Sequence, residues 1–360
     1  MMTAVELQWL ACDLRTGNVA EELPSLKMQA ISRRLGASTS STGDLTLTGA
    51  SREWESATDP GRTMVIAVDP AAPQPVWCGM TLTREGGSAS TARLGLATPE
   101  AYLDRIYPGD YSATATDLTT IMAGLATPAL TAGPPLTLDT TLSGTVADYS
   151  IADDEDKSVL ACWQEIAAMA GAPEWTIDTV WADAAHTRVQ WVARIKPAIG
   201  VQLAAPDAVF DLPGCVSTYS LAESYEKGRG ATRVVARGDR TSGVRATSTA
   251  HTDTALIAAG WSLWEHRYTP EQGITDVSQL ERHATEALAM MRTGSRAWSV
   301  EAVASAAPRL GLTWGLGDSI RLSVTSSPRH PAGVDLAARA YAWSLDAPAD
   351  RVSPILLEDS

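Results

Sequence analysis

Val76-Trp77-Cys78-Gly79-Met80-Thr81-Leu82-Thr83, followed by Arg84-Glu85-Gly86-Gly87-Ser88, is the stretch from which the rest of the chain is read. Cys78, Met80 and Leu82 fall on one face and Gly79, Thr81 and Thr83 on the other, the two-residue period of a strand. Glu85-Gly86-Gly87-Ser88 then reverses the chain, because Gly accepts the positive φ that tight hairpin turns demand. A second strand follows over 88–97. Working outward, 5–14, 24–31 and 63–69 are further short runs bounded by Gly, Pro, Asp or Ser. Strands this short and this evenly spaced predict a small barrel or sandwich over residues 1–98. Glu53-Trp54-Glu55 is expected to alternate with them, Trp54 inward and both acids outward.

Beyond residue 98 the period changes. Thr98-Pro99-Glu100 is an N-cap, a proline at the first helical position and an early acid, and predicts a short helix to Ile106. Asp117 caps a second helix with Leu118, Ile121, Met122 and Leu125 on one face, stopped before Pro128. Residues 131–150 are rich in Gly, Pro and Thr and are expected to form a long exposed loop. Asp153, Asp154, Glu155 and Asp156 crowd the start of a third helix running to Gly171, where acids oppose the positive end of the dipole. Its buried stripe is Val159, Leu160, Trp163, Ile166, Ala167 and Ala170.

Strands then return. Trp175, Ile177, Thr179 and Trp181 alternate, as do Val189, Trp191, Ala193 and Ile195, which predicts a hairpin. Further strands are expected at 232–237, 243–249, 297–304, 319–324 and 338–345. An amphipathic helix over 276–292 carries Val277, Leu280, Ala284, Ala287, Leu288 and Met291 in register. The pattern is α+β and β-dominant. Residues 1–98 form the first β module, 99–171 a helical and loop region, and 172–360 a second β-rich module with one helix. No internal repeat is evident.

The 360 residues carry 28 Lys+Arg against 42 Asp+Glu, a formal charge of −14, and the pI is 4.8. So acidic a chain has little nonspecific grip on nucleic acid or anionic membrane, since it would gather counterions rather than release them. Among the basic residues 24 are Arg and 4 are Lys, and Phe210 is the sole Phe, a bias expected of a GC-rich coding sequence. No run approaches the roughly 20 apolar residues of a membrane span, and the first 15 residues lack a basic n-region, so membrane insertion and a signal peptide are not expected.

Little points to catalysis. Cys12, Cys78, Cys162 and Cys215 lie far apart and form no C-x-x-C pair, so they are expected as buried apolar residues in a reducing compartment. His186, His251, His266, His283 and His330 make no close ligand pair, and His283 is expected at the edge of a helical core. There is no G-x-S-x-G elbow, and Gly228-Arg229-Gly230 lacks the rest of a phosphate loop. Asp153 to Asp156 lack the spacing of a calcium loop. Arg237-Gly238-Asp239 is expected as a turn after a strand rather than an adhesion site. Glu53 and Glu55 are the most suggestive carboxylate pair, but strand alternation accounts for them. No catalytic, cofactor-binding or metal residue is assigned, no cofactor is expected, and the chain is expected not to be an enzyme.

A resemblance adds to this reading. Leu7-Gln8-Trp9-Leu10 leading to Asp13, the Val76-Trp77-Cys78-Gly79 strand, the helix over 153–171, the hairpin over 175–195, Glu226-Lys227-Gly228-Arg229-Gly230-Ala231-Thr232-Arg233-Val234-Val235 and Leu316-Gly317-Asp318-Ser319-Ile320 follow one another in this chain. That order resembles the minor tail, or baseplate hub, proteins of long-tailed phages infecting actinobacteria. The resemblance spans most of the chain and rests on diffuse patterns rather than invariant signatures. It implies two tail-tube-like β-barrel modules per subunit, the first completed by strands from about 203–249. It also implies a homotrimeric ring whose six barrels match the six-fold tail tube above and pass to the three-fold tip below. The subunit would sit at the tail tip of the virion after assembly in the host cytoplasm. It would contact tube proteins above, tip or fibre proteins below and the tape-measure protein, and would line a channel through which genome DNA slides without specific binding. An acidic lining suits that passage, and residues 131–150 are the segment expected to close it.

The rival expectation is a carbohydrate- or host-surface-binding tip protein. It predicts several of the 12 Trp in one open groove, whereas the hub predicts Trp buried in barrels or seams. A cell-wall glycosidase would instead bring two carboxylates together in a cleft.

Overall fold

The computed structural model describes residues 5–169, 171–241, 243–269 and 274–358. Residues 1–4 and Ala170, included in the expectations above, lie outside the described residues. The chain is β-dominant, and most strands belong to two seven-stranded sheets.

The first sheet runs, edge to edge, Val19–Glu22, Gln8–Asp13, Thr63–Val68, Trp77–Glu85, Thr91–Ala97, Ser40–Thr46 and Leu26–Met28, every pair antiparallel. Its two end strands are consecutive in sequence, separated only by residues 23–25. A turn that short can join opposite ends of a sheet only if the sheet curls round on itself. The second sheet repeats the device. Its order is Val209–Leu212, Ser319–Val324, Val334–Asp346, Arg351–Leu357, Ser295–Val303 and Val216–Ser224, and the end strands are joined by residues 213–215. Its seventh strand is borrowed: Ile31–Arg34, from the N-terminal part of the chain, pairs antiparallel with Val334–Asp346.

Both curled sheets turn faces toward one continuous core of 35 buried residues, including Trp9, Trp77, Leu94 and Leu96 from the first and Phe210, Trp298, Trp314 and Trp343 from the second. The first sheet is also covered on its other face. Val65 and Ala67 point into the shared core, while Met64, Ile66, Cys78 and Met80 point into another core of 26 residues beneath the middle module. Two-sided burial explains why Thr63–Val68 is almost continuously apolar. Gly79 sits where a Cβ would lie 2.3 Å from the Trp77 ring, so a glycine is what lets that indole lie across its own strand. Leu82 departs from the expected buried face: the register shifts between Thr81 and Thr83, the strand outruns its cover, and Leu82 is exposed.

The middle module holds a 3-10 turn at Pro99–Arg105, helices Leu118–Leu125, Thr127–Ala132 and Val159–Ala167, an antiparallel ribbon of Tyr111–Asp117 with Val146–Ile151, and a three-stranded sheet. That sheet contains Glu174–Trp181 and Val189–Lys196, so this hairpin packs with the middle module rather than with the second β module. The stretch 131–150 is not one long loop. Leu136–Thr140 pairs parallel with Val189–Lys196, and Val146–Ile151 completes the ribbon; its pairing partners are distant in sequence, which local composition could not reveal. Residues 153–171 are not one helix either. Asp153–Glu155 is a single 3-10 turn, Asp156 takes a left-handed φ of 51°, and Ser158 caps the helix proper, its Oγ accepting from the Ala161 N–H at 3.2 Å. Asp117 caps as expected, its carboxylate accepting from Thr119 N at 2.9 Å and from Gly144 N at 2.8 Å.

Strands within 203–249 do not complete the first barrel. Val209–Leu212 and Val216–Ser224 belong to the second sheet, and Arg233–Thr241 and Val244–Thr247 belong to a small module inserted between the paired strands Val216–Ser224 and Ser295–Val303. This insert spans residues 225–294 and has Arg233–Thr241 at its centre, flanked by Val244–Thr247, His251–Thr252 and Glu265–Tyr268. Helix Val277–Met291 packs on it, with Asp276 as N-cap. Its core is Ala231, Val234, Ala236, Leu280, Ala284 and Ala287. Trp54 opens a one-turn helix, Trp54–Ala57, instead of sitting in a strand.

Candidate functional site

The cysteines and histidines are built into the framework. All four thiols are free and buried. Burial pushes Cys78 up to about 12 and Cys215 up to about 11, and raises Cys12 and Cys162 as well, so none presents the thiolate that a nucleophile or metal ligand needs. His186 stacks on Trp181 at 4.5 Å. His251 meets Glu281 at 2.5 Å, and His330 Nδ1 lies 2.7 Å from the Tyr219 hydroxyl. His283 is buried on the insert helix with neither ring nitrogen hydrogen-bonded, and burial holds its pKa below the ordinary histidine value. Among the described residues no three His, Cys, Asp or Glu side chains gather as a metal site. Glu55 contacts Arg84, whose guanidinium lies 5.6 Å from the Trp54 ring. Arg237, Gly238 and Asp239 lie inside strand Arg233–Thr241 rather than in a turn, and Asp239 N donates to Ile274 O at 2.8 Å.

Three arginines instead carry ion pairs across the joints between modules. Arg33, on the strand shared with the second sheet, reaches Asp178 at 2.8 Å, Thr176 Oγ1 at 2.7 Å and Ile177 O at 2.8 Å in the middle module, and Glu100 at 3.5 Å. Burial would raise the Asp178 carboxyl, but Arg33 and Arg194 outweigh it and hold the group below the ordinary carboxylate value. Arg339 of the second sheet forks onto Glu174 at 2.8 and 2.6 Å and donates to Ile199 O at 3.0 Å. Arg309 pairs with buried Asp69 at 2.5 Å. Planar, bidentate guanidinium contacts fix relative orientation as well as distance.

The Leu316-Gly317-Asp318-Ser319 motif belongs to the same joint. Gly317 adopts φ +86°, and a Cβ there would lie 2.3 Å from Ile199 O. Asp318 Oδ1 accepts from Val201 N at 2.7 Å, and Ser319 N donates to Val201 O at 2.9 Å. The motif is thus a socket for the linker between the middle module and the second sheet. Cavities at two such seams are about 10 Å³ each, room for one water rather than the roughly 300–1,000 Å³ of a small-molecule pocket.

The 12 Trp separate the sequence-based alternatives. Trp9, Trp77, Trp163, Trp175, Trp191, Trp298, Trp314 and Trp343 are buried in the two large cores, and Trp54 and Trp181 are half-buried. Trp261 and Trp264 stand out at 41% and 52% exposure. Both lean on Tyr225, with ring centroids 5.1 and 6.0 Å away. Composition gave no hint of this cluster. Its signal was local: Ile257-Ala258-Ala259-Gly260-Trp261-Ser262-Leu263-Trp264 is apolar yet follows neither the strand nor the helix period.

No family model matches the sequence, and no curated protein matches it. Solved structures do. A tail protein from Neisseria meningitidis MC58 is 14% identical with a TM-score of 0.60, covering 98% of this chain and 96% of that one. The 43 kDa tail protein of prophage MuSo2 from Shewanella oneidensis is 12% identical with a TM-score of 0.60, covering 98% of each chain. Prophage tail protein gp18 from Listeria monocytogenes EGD-e is 9% identical with a TM-score of 0.59, covering 98% and 94%. At such identities the likeness is one of fold, and it runs the full length of the chain.

Proposed function

We propose that the chain is a structural protein of a phage tail. In this reading it is the hub subunit at the distal tip, three copies closing a ring that joins the six-fold tube to the three-fold tip and surrounds the DNA channel. One observation carries this. Each chain holds two curled seven-stranded sheets fused on one core, so three copies present six sheets to a six-fold neighbour. The end-to-end fold likeness to tail proteins from three bacterial sources supports the tail. The Arg33, Arg309 and Arg339 joints suit a part under mechanical load, because they hold the modules at fixed angles.

In this role the protein carries no reaction of its own. Its partners are further copies of itself, tube proteins above and tip, fibre or tape-measure proteins around the channel. The DNA passes an acidic subunit that does not retain it. The test is native mass spectrometry of the purified chain across a concentration series, followed by electron microscopy of any assembly. A species at three times 38.0 kDa with six lobes around a central hole is expected. A monomer that instead sediments with purified host cell wall would replace the hub with the sugar-binding reading.

A further inference from the structure

We propose that the exposed aromatic foot of the insert is the seat of a second copy of this chain, which docks on it with the acidic ribbon of its middle module. This names the seam of the ring proposed above and rests on that reading.

Residues 257–265 are all exposed, yet Ile257, Trp261, Leu263 and Trp264 lie among them. Tyr225 stands beneath the two indoles and is itself partly exposed. Exposed Trp and Tyr in one patch are the composition of an interface centre rather than of a solvated loop. The patch lies where the insert leaves the second sheet: Tyr225 follows the terminal strand Val216–Ser224, and the Tyr225 hydroxyl donates to Arg292 O.

Charge selects the occupant. Between 225 and 294 the chain has nine Lys/Arg against eight Asp/Glu, whereas the other residues hold 19 against 34. Lys227 and Arg229, two and four residues beyond Tyr225, are exposed and make no ion pair among the described residues. The insert therefore seeks an acidic, partly apolar surface, and this chain carries one. Residues 99–200 have five Lys/Arg against 14 Asp/Glu. The ribbon Tyr111–Asp117 with Val146–Ile151 gathers Asp110, Asp148, Asp153, Asp154 and Asp156, none ion-paired among the described residues, beside exposed Tyr107, Leu142 and Val146. Within one copy both surfaces stand open, so the chain does not satisfy them by itself. A foot-to-ribbon contact joins unlike surfaces, and contacts of that kind close rings rather than isologous pairs.

Sedimentation velocity of the full-length chain over a concentration series tests this, with circular dichroism as the fold control. The double variant Trp261→Ser/Trp264→Ser should raise the dissociation constant about 30-fold or more, the loss of a hot spot. Lys227→Glu/Arg229→Glu should weaken association, as should Asp153→Lys/Asp154→Lys, and combining the two reversals should restore it. A wild-type trimer that all these variants leave intact overturns the seam and leaves the hub standing. A dimer abolished by the Trp variant keeps the seam and overturns the three-fold ring. A wild-type monomer at every concentration removes the second copy as occupant, and saturable binding of cell-wall glycan through Trp261 would replace it with a sugar.

Discussion

The two curled sheets and the middle module close over cores of 35 and 26 residues rich in Trp, Leu, Ile and Met, whereas the insert closes over six, four of them alanine. The larger cores bury most of their aromatic residues and are tied to one another by the Arg33, Arg309 and Arg339 ion pairs. The insert buries alanine under one helix and leaves its two Trp outside. Alanine contributes little apolar area per residue, so a core built from it supplies a small part of what a domain normally draws from burial. The difference teaches a division of labour: a body whose geometry is fixed, and an appendage that keeps its largest apolar side chains for contact.

The largest effect that would test this contrast is in the body. Trp163 is fully buried, donates to Met122 O at 2.9 Å and packs edge-on to Trp175 at 5.0 Å. Trp163→Ala should cost about 3–5 kcal/mol and shift the denaturant midpoint of the whole body. Leu280→Ala removes the largest apolar member of the insert core, at about 2–5 kcal/mol, but the loss should stay local. Hydrogen exchange should accelerate along Arg233–Thr241 while Thr63–Val68 keeps its protection. Equal acceleration in both strands would mean that body and insert unfold as one unit.

A pH titration sharpens the comparison further. His283 is neutral in the fold, with its pKa held down by burial; Arg282 and Glu286 flank it on the helix and the Tyr268 ring faces it. The unfolded chain takes up a proton near 6.5, so this contribution to stability is present above 6.5 and is lost as pH falls below it. Asp178 of the body is lowered instead, and its contribution persists until pH falls below 3.8 toward its folded value. Between these limits the insert should loosen while the body holds, as read by exchange of the same two strands; burial also lowers His266 of the insert, so His283→Leu should reduce the insert response and leave the His266 part. The smallest effect is Ser158→Ala, which removes a helix cap and a 2.9 Å bond to Asp104. About 1 kcal/mol is expected, visible as a small fall in the midpoint of the body alone.

Much of the fold was legible because periodicity is local. Val189–Lys196 buries every second residue as its sequence alternates, and Val277–Met291 buries Leu280, Ala284 and Ala287 of its expected stripe while Val277, in the first turn, stays exposed. Where reading failed, the deciding partner was remote. Leu136–Thr140 is a strand because Val189–Lys196 lies beside it, and Trp54 is helical because the chain turns into a short helix beneath Arg84. The candidate seam was the least legible part. Trp count alone cannot tell an indole in a core from one left in water.

The sequence by itself determined the β-dominant class and most elements, which follow from side-chain period along the chain, and the burial of the cysteines, which follows from the apolar character of an isolated thiol. Tertiary structure alone decided that the two sheets share one core, that Ile31–Arg34 crosses to the second sheet, that 209–224 closes that sheet, and that Trp261 and Trp264 stand exposed beside Tyr225. Those outcomes depend on strand pairings between residues tens to hundreds of positions apart. Backbone hydrogen bonds are the same for every residue, so a strand records which face it buries but not the strand it pairs with.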